Sequence, residues 1–406
     1  MIDIRPPQES DRPAIIGLMK IAFNPSPVWE RLVAPSQPFD RVLCAYEEGR
    51  IVAMAEDWRL FQYFAGRSQP MSGVAAVTSL PEKRGGGLAP EVLRVILKRA
   101  RSEGTAISTL YPSRAAVYRR LGYEYAGILT QYRMPLGDLP SSKAAGVEEM
   151  TETDLPAMQA CYRRFAARHT GMADSREDRW WKMRVVRRWN PDVANRQVVV
   201  RGPEGIEGYA TFQLDALPDT WGFRITCTHL IGDTAGALAA LLGYFRSFRG
   251  LGAQLLWYGA PQEPIGLLIG GGAESIQAHR QVRFMSRILD VADALRRRGA
   301  APDVRGEALL AVRDELFPEN EGPFRIRAEG GKIDVEPAGP GAGAGAGSGA
   351  SGADAPVGIG ALSALYAGYM TPADLVRAGL VRGDEPALDL LGRLFAGPTP
   401  WMTDFF

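Results

Sequence analysis

Residues 77–89 read Val77-Thr78-Ser79-Leu80-Pro81-Glu82-Lys83-Arg84-Gly85-Gly86-Gly87-Leu88-Ala89, an apolar run closed by a proline, two basic residues, three glycines and the start of a helix. The helix runs Leu88 to Ser102 and sets Leu88, Val92, Leu93, Ile96, Leu97 and Ala100 on one face, with Arg94, Lys98, Arg99 and Arg101 away from it. A strand, a basic glycine turn and a helix N-terminus in that order make a layout suited to a pyrophosphate. Glycines let backbone N–H groups point inward, and the first turn of the helix favours negative charge. A plain helix-capping turn with surface cations explains the same residues. Two other phosphate loops are excluded, because no G-x-G-x-x-G opens the helix after an N-terminal strand and no Lys-Ser or Lys-Thr closes the glycine run.

Outward from this turn, the first 135 residues alternate strand and helix signals. Ile2–Arg5, 41–46, 50–57, 71–80 and 105–111 read as strands, 10–23 and 114–121 as helices, and two last strands run to about Met134. Gly122 follows the second helix as its cap. A polar linker, 136–146, precedes a similar order of elements: helices 154–169 and 176–189, strands 198–201, 208–214 and 223–230, helix 235–248, strand 254–258. A third region starts near Asp303. There 308–316 reads as a helix, 322–328 and 332–335 as strands, and 359–369 and 372–378 as helices. Within it, 339–352 is almost all Gly, Ala and Ser, a composition expected to form a flexible loop. The fold class is α+β in three domains: 1–135, 147–295 and 300–406.

With 406 residues, 46% hydrophobic and 23% charged, the chain has an ordinary globular balance and length for more than one core. A formal charge of +1 argues against nucleic acid or an anionic membrane surface as partner. No apolar run is long enough to span a bilayer. Cys44, Cys161 and Cys227 lie in apolar stretches, which fits buried thiols rather than a disulfide framework. With a polar, acidic beginning, these features predict a cytoplasmic protein. The histidines His169, His229 and His279 show no metal-ligand spacing and no C-x-x-C occurs, so no metal is expected. A hydrolase elbow, G-x-S-x-G, is missing. Cys227 and His229, two apart on a strand, read as core or interface residues. Trp180 and Trp181 read either as ligand-stacking rings or as part of a half-buried helix.

A second segment, Tyr111-Pro112-Ser113-Arg114-Ala115-Ala116-Val117-Tyr118-Arg119-Arg120-Leu121-Gly122-Tyr123, also carries chemistry. A tyrosine with a pKa of about 10 stays protonated at neutral pH and can donate to a leaving thiolate. Tyr118 is the candidate, and a core aromatic is the alternative. Together the two segments resemble the GNAT acetyltransferases. Arg84-x-x-Gly87-x-Ala89 matches that family's acetyl-CoA loop, and Tyr118 with Gly122-Tyr123 matches its Y-x-x-x-G-[FY] helix. The resemblance implies acetyl-CoA as co-substrate, its pyrophosphate held by Arg84, Gly85, Gly86, Gly87, Leu88, Ala89 and Pro90. It further implies a pantetheine arm along a bulged edge at Val77, Thr78 and Ser79, with Ser113 and Arg114 facing that arm, and Tyr118 as acid.

Over nearly the whole chain the order of segments resembles the Eis family of N-acetyltransferases: a GNAT domain, a degenerate second GNAT domain and a sterol carrier protein-like domain. Gly322-Pro323-Phe324, 361–366 and Gly368-Tyr369-Met370-Thr371-Pro372 carry the resemblance in the third. It implies a hexamer, and the chain's terminal carboxylate, here that of Phe406, as general base. The tail Pro400-Trp401-Met402-Thr403-Asp404-Phe405-Phe406 is aromatic, so it should be packed rather than frayed. That also fits an anchor with no catalytic part. The acidic residue the family places next to last is Phe405 here, with Asp404 one step earlier. The second domain's equivalent turn, Leu230-Ile231-Gly232-Asp233-Thr234-Ala235-Gly236, offers an acid in place of a base and should hold no CoA. The expected activity is transfer of acetyl to a primary amine of a small molecule, aminoglycoside-like or other, or to a lysine side chain. The alternatives are an apolar-ligand carrier that only senses CoA, and transfer of a longer acyl or aminoacyl group. Acceptor choice should lie in loops 24–39 and 61–70, with Trp29, Phe39 and Trp58 lining the pocket.

Overall fold

The computed structural model describes residues 2–25, 34, 38–186, 195–269, 273–339, 351–352 and 356–406. Trp29, the interior of the Gly/Ala stretch 339–352 and the end of the helix expected at 176–189 lie outside them. The chain divides into two compact units: Met1–Gly127 with Arg283–Pro400 and Phe406, and Ile128–Val282 with Trp401–Phe405.

In the first unit, β1 (Ile2–Arg5), α1 (Arg12–Phe23), β2 (Val42–Glu47), β3 (Arg50–Phe64), β4 (Arg67–Ser79), α2 (Leu88–Ser102), β5 (Ile107–Leu110), α3 (Ala115–Arg119) and the first residues of β6 (Glu124–Pro135) follow in turn. The sheet order is β1-β2-β3-β4-β5, antiparallel except where β5 runs parallel to β4 after the α2 crossover. The residues on the apolar face of α2, Val92, Leu93, Ile96, Leu97 and Ala100, are buried in one core with Val52, Met54, Val74 and Tyr118. The loop expected at 61–70 is instead paired: β3 and β4 meet in a tight hairpin whose turn residues, Ala65 and Gly66, have φ of 47° and 79°. Two positive φ values suit the right-handed twist of a hairpin. Alanine gives no sign of that turn in sequence.

The second unit contains β7 (Val147–Glu149), α4 (Leu155–Ala167), β8 (Ala173–Asp174), α5 (Asp178–Trp180) with a π-helical turn (Trp181–Val186), β9 (Arg196–Gly202), β10 (Gly205–Ala216), β11 (Phe223–Gly232), α6 (Ala235–Arg246), β12 (Gly252–Gly259) and most of β13 (Gln277–Ile288). Its sheet runs β6-β12-β11-β10-β9-β7, with β11 and β12 parallel on either side of the α6 crossover. This is the plan of the first sheet repeated. The end of β13, Met285–Ile288, returns to the first unit and pairs with β5.

The remainder of the first unit is α7 (Val291–Arg298), β14 (Gly306–Arg313), β15 (Gly322–Glu329), β16 (Lys332–Pro337), β17 (Ser351–Gly352), β18 (Val357–Gly358), α8 (Ile359–Ala367), α9 (Pro372–Arg377) and α10 (Glu385–Phe395). The helix expected at 308–316 is strand β14, paired with β15 from Gly306↔Ala328 to Val312↔Gly322. Ala and Leu favour helix, but a short apolar run does not fix its own period, and the ladder partner outweighs the small propensity difference. β13, α7 and α10 carry no assignment in the sequence reading.

One buried arginine closes two helix ends here. Arg298, 2% exposed, donates to the carbonyls of Tyr366 at 2.7 Å, Leu394 at 2.9 Å and Phe395 at 3.2 Å, which are last-turn carbonyls of α8 and α10. Burial lowers its pKa to about 10, so it remains a cation at neutral pH and complements both helix dipoles. Arg298→Met would leave three buried carbonyls without a donor. At roughly 1 kcal/mol or more apiece, the variant should lose about 3 kcal/mol of stability, read as a lower urea midpoint.

Candidate functional site

The two central strands of the first sheet part company. β4 and β5 pair only from Met71↔Ile107 to Val74↔Leu110, where β5 ends, while β4 runs on to Ser79. Along that last stretch β4 keeps a strand partner only on its β3 side among the described residues. The register with β3 jumps from Met54↔Thr78 to Glu56↔Ala75, so Ala76 and Val77 together face Ala55. This is a β-bulge, and Ala76 sits in it at φ 50°. A bulge turns backbone groups out of the ladder, and positive φ at alanine costs of order 1 kcal/mol or more. The expected bulged edge, Val77 to Ser79, therefore starts one residue earlier, at Ala76. An alanine bulge leaves no mark in sequence.

β4 ends as Leu80 N–H bonds to Val52 O at 2.9 Å, and a short turn at Pro81–Lys83 leads into the glycines. Gly85 and Gly87 have φ of 86° and 79°, and an added Cβ at either would meet nothing within 4 Å. The turn is held from within by Arg84 N–H to Pro81 O at 3.2 Å and Gly86 N–H to Lys83 O at 3.3 Å. The amides of Gly85, Gly87, Leu88 and Ala89 donate to no backbone carbonyl among the described residues. Pro90 has no N–H and contributes shape alone. Lys83, expected as a rim cation, is ion-paired with Glu47. Arg84 is exposed and forms no ion pair among the described residues, so it is the cation the rim retains.

Tyr118 lies on α3, 4% exposed, in the core shared with α2. Burial raises the pKa of its phenol above 10.0, opposed in part by a hydrogen bond with the Ser113 side chain. Ser113 and Arg114 are exposed at the start of α3. Tyr123 bonds its hydroxyl to Ser108 Oγ at 2.6 Å and is wholly buried, which makes it a core residue. Trp401–Phe405 of the tail belong to the second unit, and Phe406 belongs to the first. Its ring packs edge-on to Tyr111 at 5.8 Å, and Tyr111 meets Phe284 at 6.1 Å. A Cβ on Gly73, in the last stretch where β4 pairs with β5, would lie 3.2 Å from Phe406 Cε2. The terminal residue is thus packed where the two strands begin to diverge.

Asp404 belongs to the second unit and is buried. His229 Nε2 lies 3.2 Å from its carboxylate, Thr403 donates at 3.0 Å, and His229 Nδ1 is 3.0 Å from the Tyr209 hydroxyl. The backbone N–H of Trp401 donates to Thr170 O at 2.9 Å. Cys227 and His229 are core residues, and so are Trp180 and Trp181, whose indole donates to Ser175 O. At the second unit's strand-to-helix turn, Asp233 is ion-paired with Arg164 at 2.8 Å and with Arg168, and Thr234 caps α6 by accepting from Ala237 N–H. One first-turn amide of that helix, that of Ala237, is thereby bonded within the chain. No group of metal-ligating side chains occurs among the described residues.

Family models match the chain in three places. Residues 3–126 and 171–288 match two different models of an acetyltransferase (GNAT) domain, and residues 291–403 match a sterol carrier protein domain. Curated proteins give no match. Among solved structures, a GCN5-related N-acetyltransferase from Anabaena variabilis is 24% identical with a TM-score of 0.90, each chain covered fully. One from Kribbella flavida is 24% identical with a TM-score of 0.86, covering 100% of this chain and 98% of its own. Eis1 from Mycobacterium abscessus is 20% identical with a TM-score of 0.79, both chains covered fully. The chain thus carries two acetyltransferase (GNAT) domains followed by a sterol carrier protein domain, and over its full length it shares the fold of these three structures.

Proposed function

We propose that the first unit is an acetyl-CoA-dependent N-acetyltransferase acting on a primary amine, either of a small molecule or of a lysine side chain. The observation that carries this reading is the run from the bulge at Ala76 to the amides of Gly85, Gly87, Leu88 and Ala89, which donate to no backbone carbonyl among the described residues. The residues fit the co-substrate. Four amides and Arg84 suit a diphosphate, with no side chain in the way at Gly85 or Gly87. The edge of β4 from Ala75 to Ser79, which has no strand partner on the side away from β3 among the described residues, suits an extended amide-bearing arm, by added-strand pairing. Acetyl-CoA supplies the activated acyl carbon and a thiolate leaving group.

The chain's own groups then divide the proton work. An amide turned outward at the bulge stabilises charge on the acyl oxygen. The Phe406 carboxylate takes the proton from the attacking nitrogen as the C–N bond forms. Tyr118 gives its proton to the departing sulfur as the C–S bond breaks, and it is restored from solvent. A free carboxylate, with a pKa of about 3.5, is a weak base, and aromatic surroundings strengthen it by desolvation. The carrier reading is disfavoured by one observation: α8 and α10 lie against β14, and their Leu362, Leu365, Leu390, Leu391 and Leu394 are all buried.

The test is calorimetric titration with acetyl-CoA. Wild type should bind at micromolar concentrations. Gly87→Val, which forces a branched side chain to φ 79°, should weaken binding at least tenfold with the same thermal midpoint to within a few degrees. No heat from wild type would remove the reading.

A further inference from the structure

Within the first unit, the end of α3, the turn into β6, the end of β14 and the start of α8 surround a cavity of about 440 Å³. That volume suits a small organic molecule. Arg119, Arg120, Arg313 and Glu315 are exposed at its rim. Arg119 is committed to Glu124, its Nε and Nη2 lying 2.8 and 2.7 Å from the two carboxylate oxygens. Arg120 and Arg313 form no ion pair among the described residues. Arg287, 1% exposed, is the floor. Its Nη1 donates to Leu121 O and its Nη2 to the two oxygens of Asp314 at 2.7 and 2.8 Å. Asp314 also accepts from the N–H groups of Leu316 and Phe317 and from Asn320 Nδ2, so its charge is spent locally. The buried Nε–H of Arg287 has no partner among the described residues. α8 starts on the same cavity. Its N-cap is Gly358, which has no side chain to bond the first-turn amides, and the register Arg313↔Gly358 puts a free guanidinium group's residue beside it. The amides of Gly360 and Ala361 donate to no acceptor outside the helix among the described residues.

We propose that this cavity is a binding site for a small phosphate-bearing molecule, separate from the cradle at Arg84–Ala89, with which it shares no residue. The proposal stands apart from the acetyl-transfer reading. Charges that are already paired cancel, Arg119 with Glu124 and Arg287 with Asp314. What remains is Arg120 and Arg313 against Glu315, with the positive end of α8 added to the cationic side. A phosphate group accepts from a helix N-terminus and from guanidinium groups at once, because its oxygens point in several directions. Arg287 strengthens the same preference. An unmet donor on a buried cation is rare in a folded chain and marks a place where an acceptor from outside the chain lowers the free energy. The remaining volume of the cavity takes the organic part of the ligand.

The experiment is calorimetric titration of the full chain with glucose 6-phosphate and, separately, with inorganic phosphate. Wild type should bind the ester, and the two arms tell an organic phosphate from the free ion. Gly358→Asp is the most telling variant. A Cβ at Gly358 would meet nothing within 4 Å, and its φ of −65° and ψ of 143° suit a capping aspartate. The new carboxylate takes the first-turn amides itself and repels a phosphate. Binding should weaken about tenfold or more while the thermal midpoint holds or rises, which separates loss of the site from loss of the fold. Arg120→Ala and Arg313→Ala, at exposed positions, should each weaken binding roughly fivefold. All three variants should bind acetyl-CoA as wild type does. No heat from wild type with either probe would overturn the proposal, and so would affinities within twofold of wild type in all three variants. Parallel loss of acetyl-CoA binding in the three variants would overturn the separation of this cavity from the cradle.

Discussion

Tyr118→Phe should lower kcat for acetyl transfer by about 10²- to 10⁴-fold, the usual worth of a positioned proton donor, and leave acetyl-CoA affinity within twofold. The substitution removes one oxygen from a ring that is 4% exposed and packed edge-on to Tyr123 at 6.2 Å. The apolar packing therefore survives and the fold should too. The pH profile gives an independent reading of the same group. Burial favours the neutral phenol and raises its pKa above 10.0. The donor form is thus present throughout the neutral and mildly alkaline range and is lost only as pH climbs past that raised value. Wild-type kcat should show no alkaline decline below pH of about 10. A kcat for Tyr118→Phe within threefold of wild type would return Tyr118 to the role of a core aromatic.

How far such a site can be read from sequence depends on whether side chains or backbone build it. The amphipathic period of residues 88–102 is written in the side chains, and α2 spans the same residues. The glycines at 85 and 87 are legible for a similar reason, since a positive φ favours that residue. The bulge at Ala76 was hidden because alanine is not the residue such a conformation selects. The hairpin at Ala65-Gly66 and the strand nature of β14 were missed on the same principle: tertiary pairing decided what local propensity left open. The aromatic tail was legible as buried, and Trp401, Met402 and Phe406 are. Its division between two units, with Asp404 committed to His229, was not, because burial alone does not name a partner.

Adding one alanine after Phe406 should cost as much as removing the base, about 10² in kcat or more, with acetyl-CoA binding and thermal midpoint close to wild type. The added residue carries the carboxylate about 3.8 Å further along the chain and puts a neutral amide in its former place. The ring of Phe406 keeps its contacts with Tyr111 and Gly73. Amidation of the native terminus removes the charge with almost no change in shape, and it should reproduce the loss. Phe406→Ala makes the opposite change, keeping a terminal carboxylate while deleting the ring. It should loosen the last residue, raise the KM for the amine and reduce kcat by a smaller factor than the extension does. Gly73→Ala tests the same packing from the strand side, because its Cβ would come within 2.9 Å of Leu60 Cδ1 and 3.2 Å of the Phe406 ring. If the extended and amidated chains turn over at the native rate while Phe406→Ala unfolds at a lower temperature, Phe406 is an anchor and the base lies elsewhere. Slow turnover by the extended and amidated chains, with Phe406→Ala retaining more activity than either, would place the proton acceptor at the end of the chain.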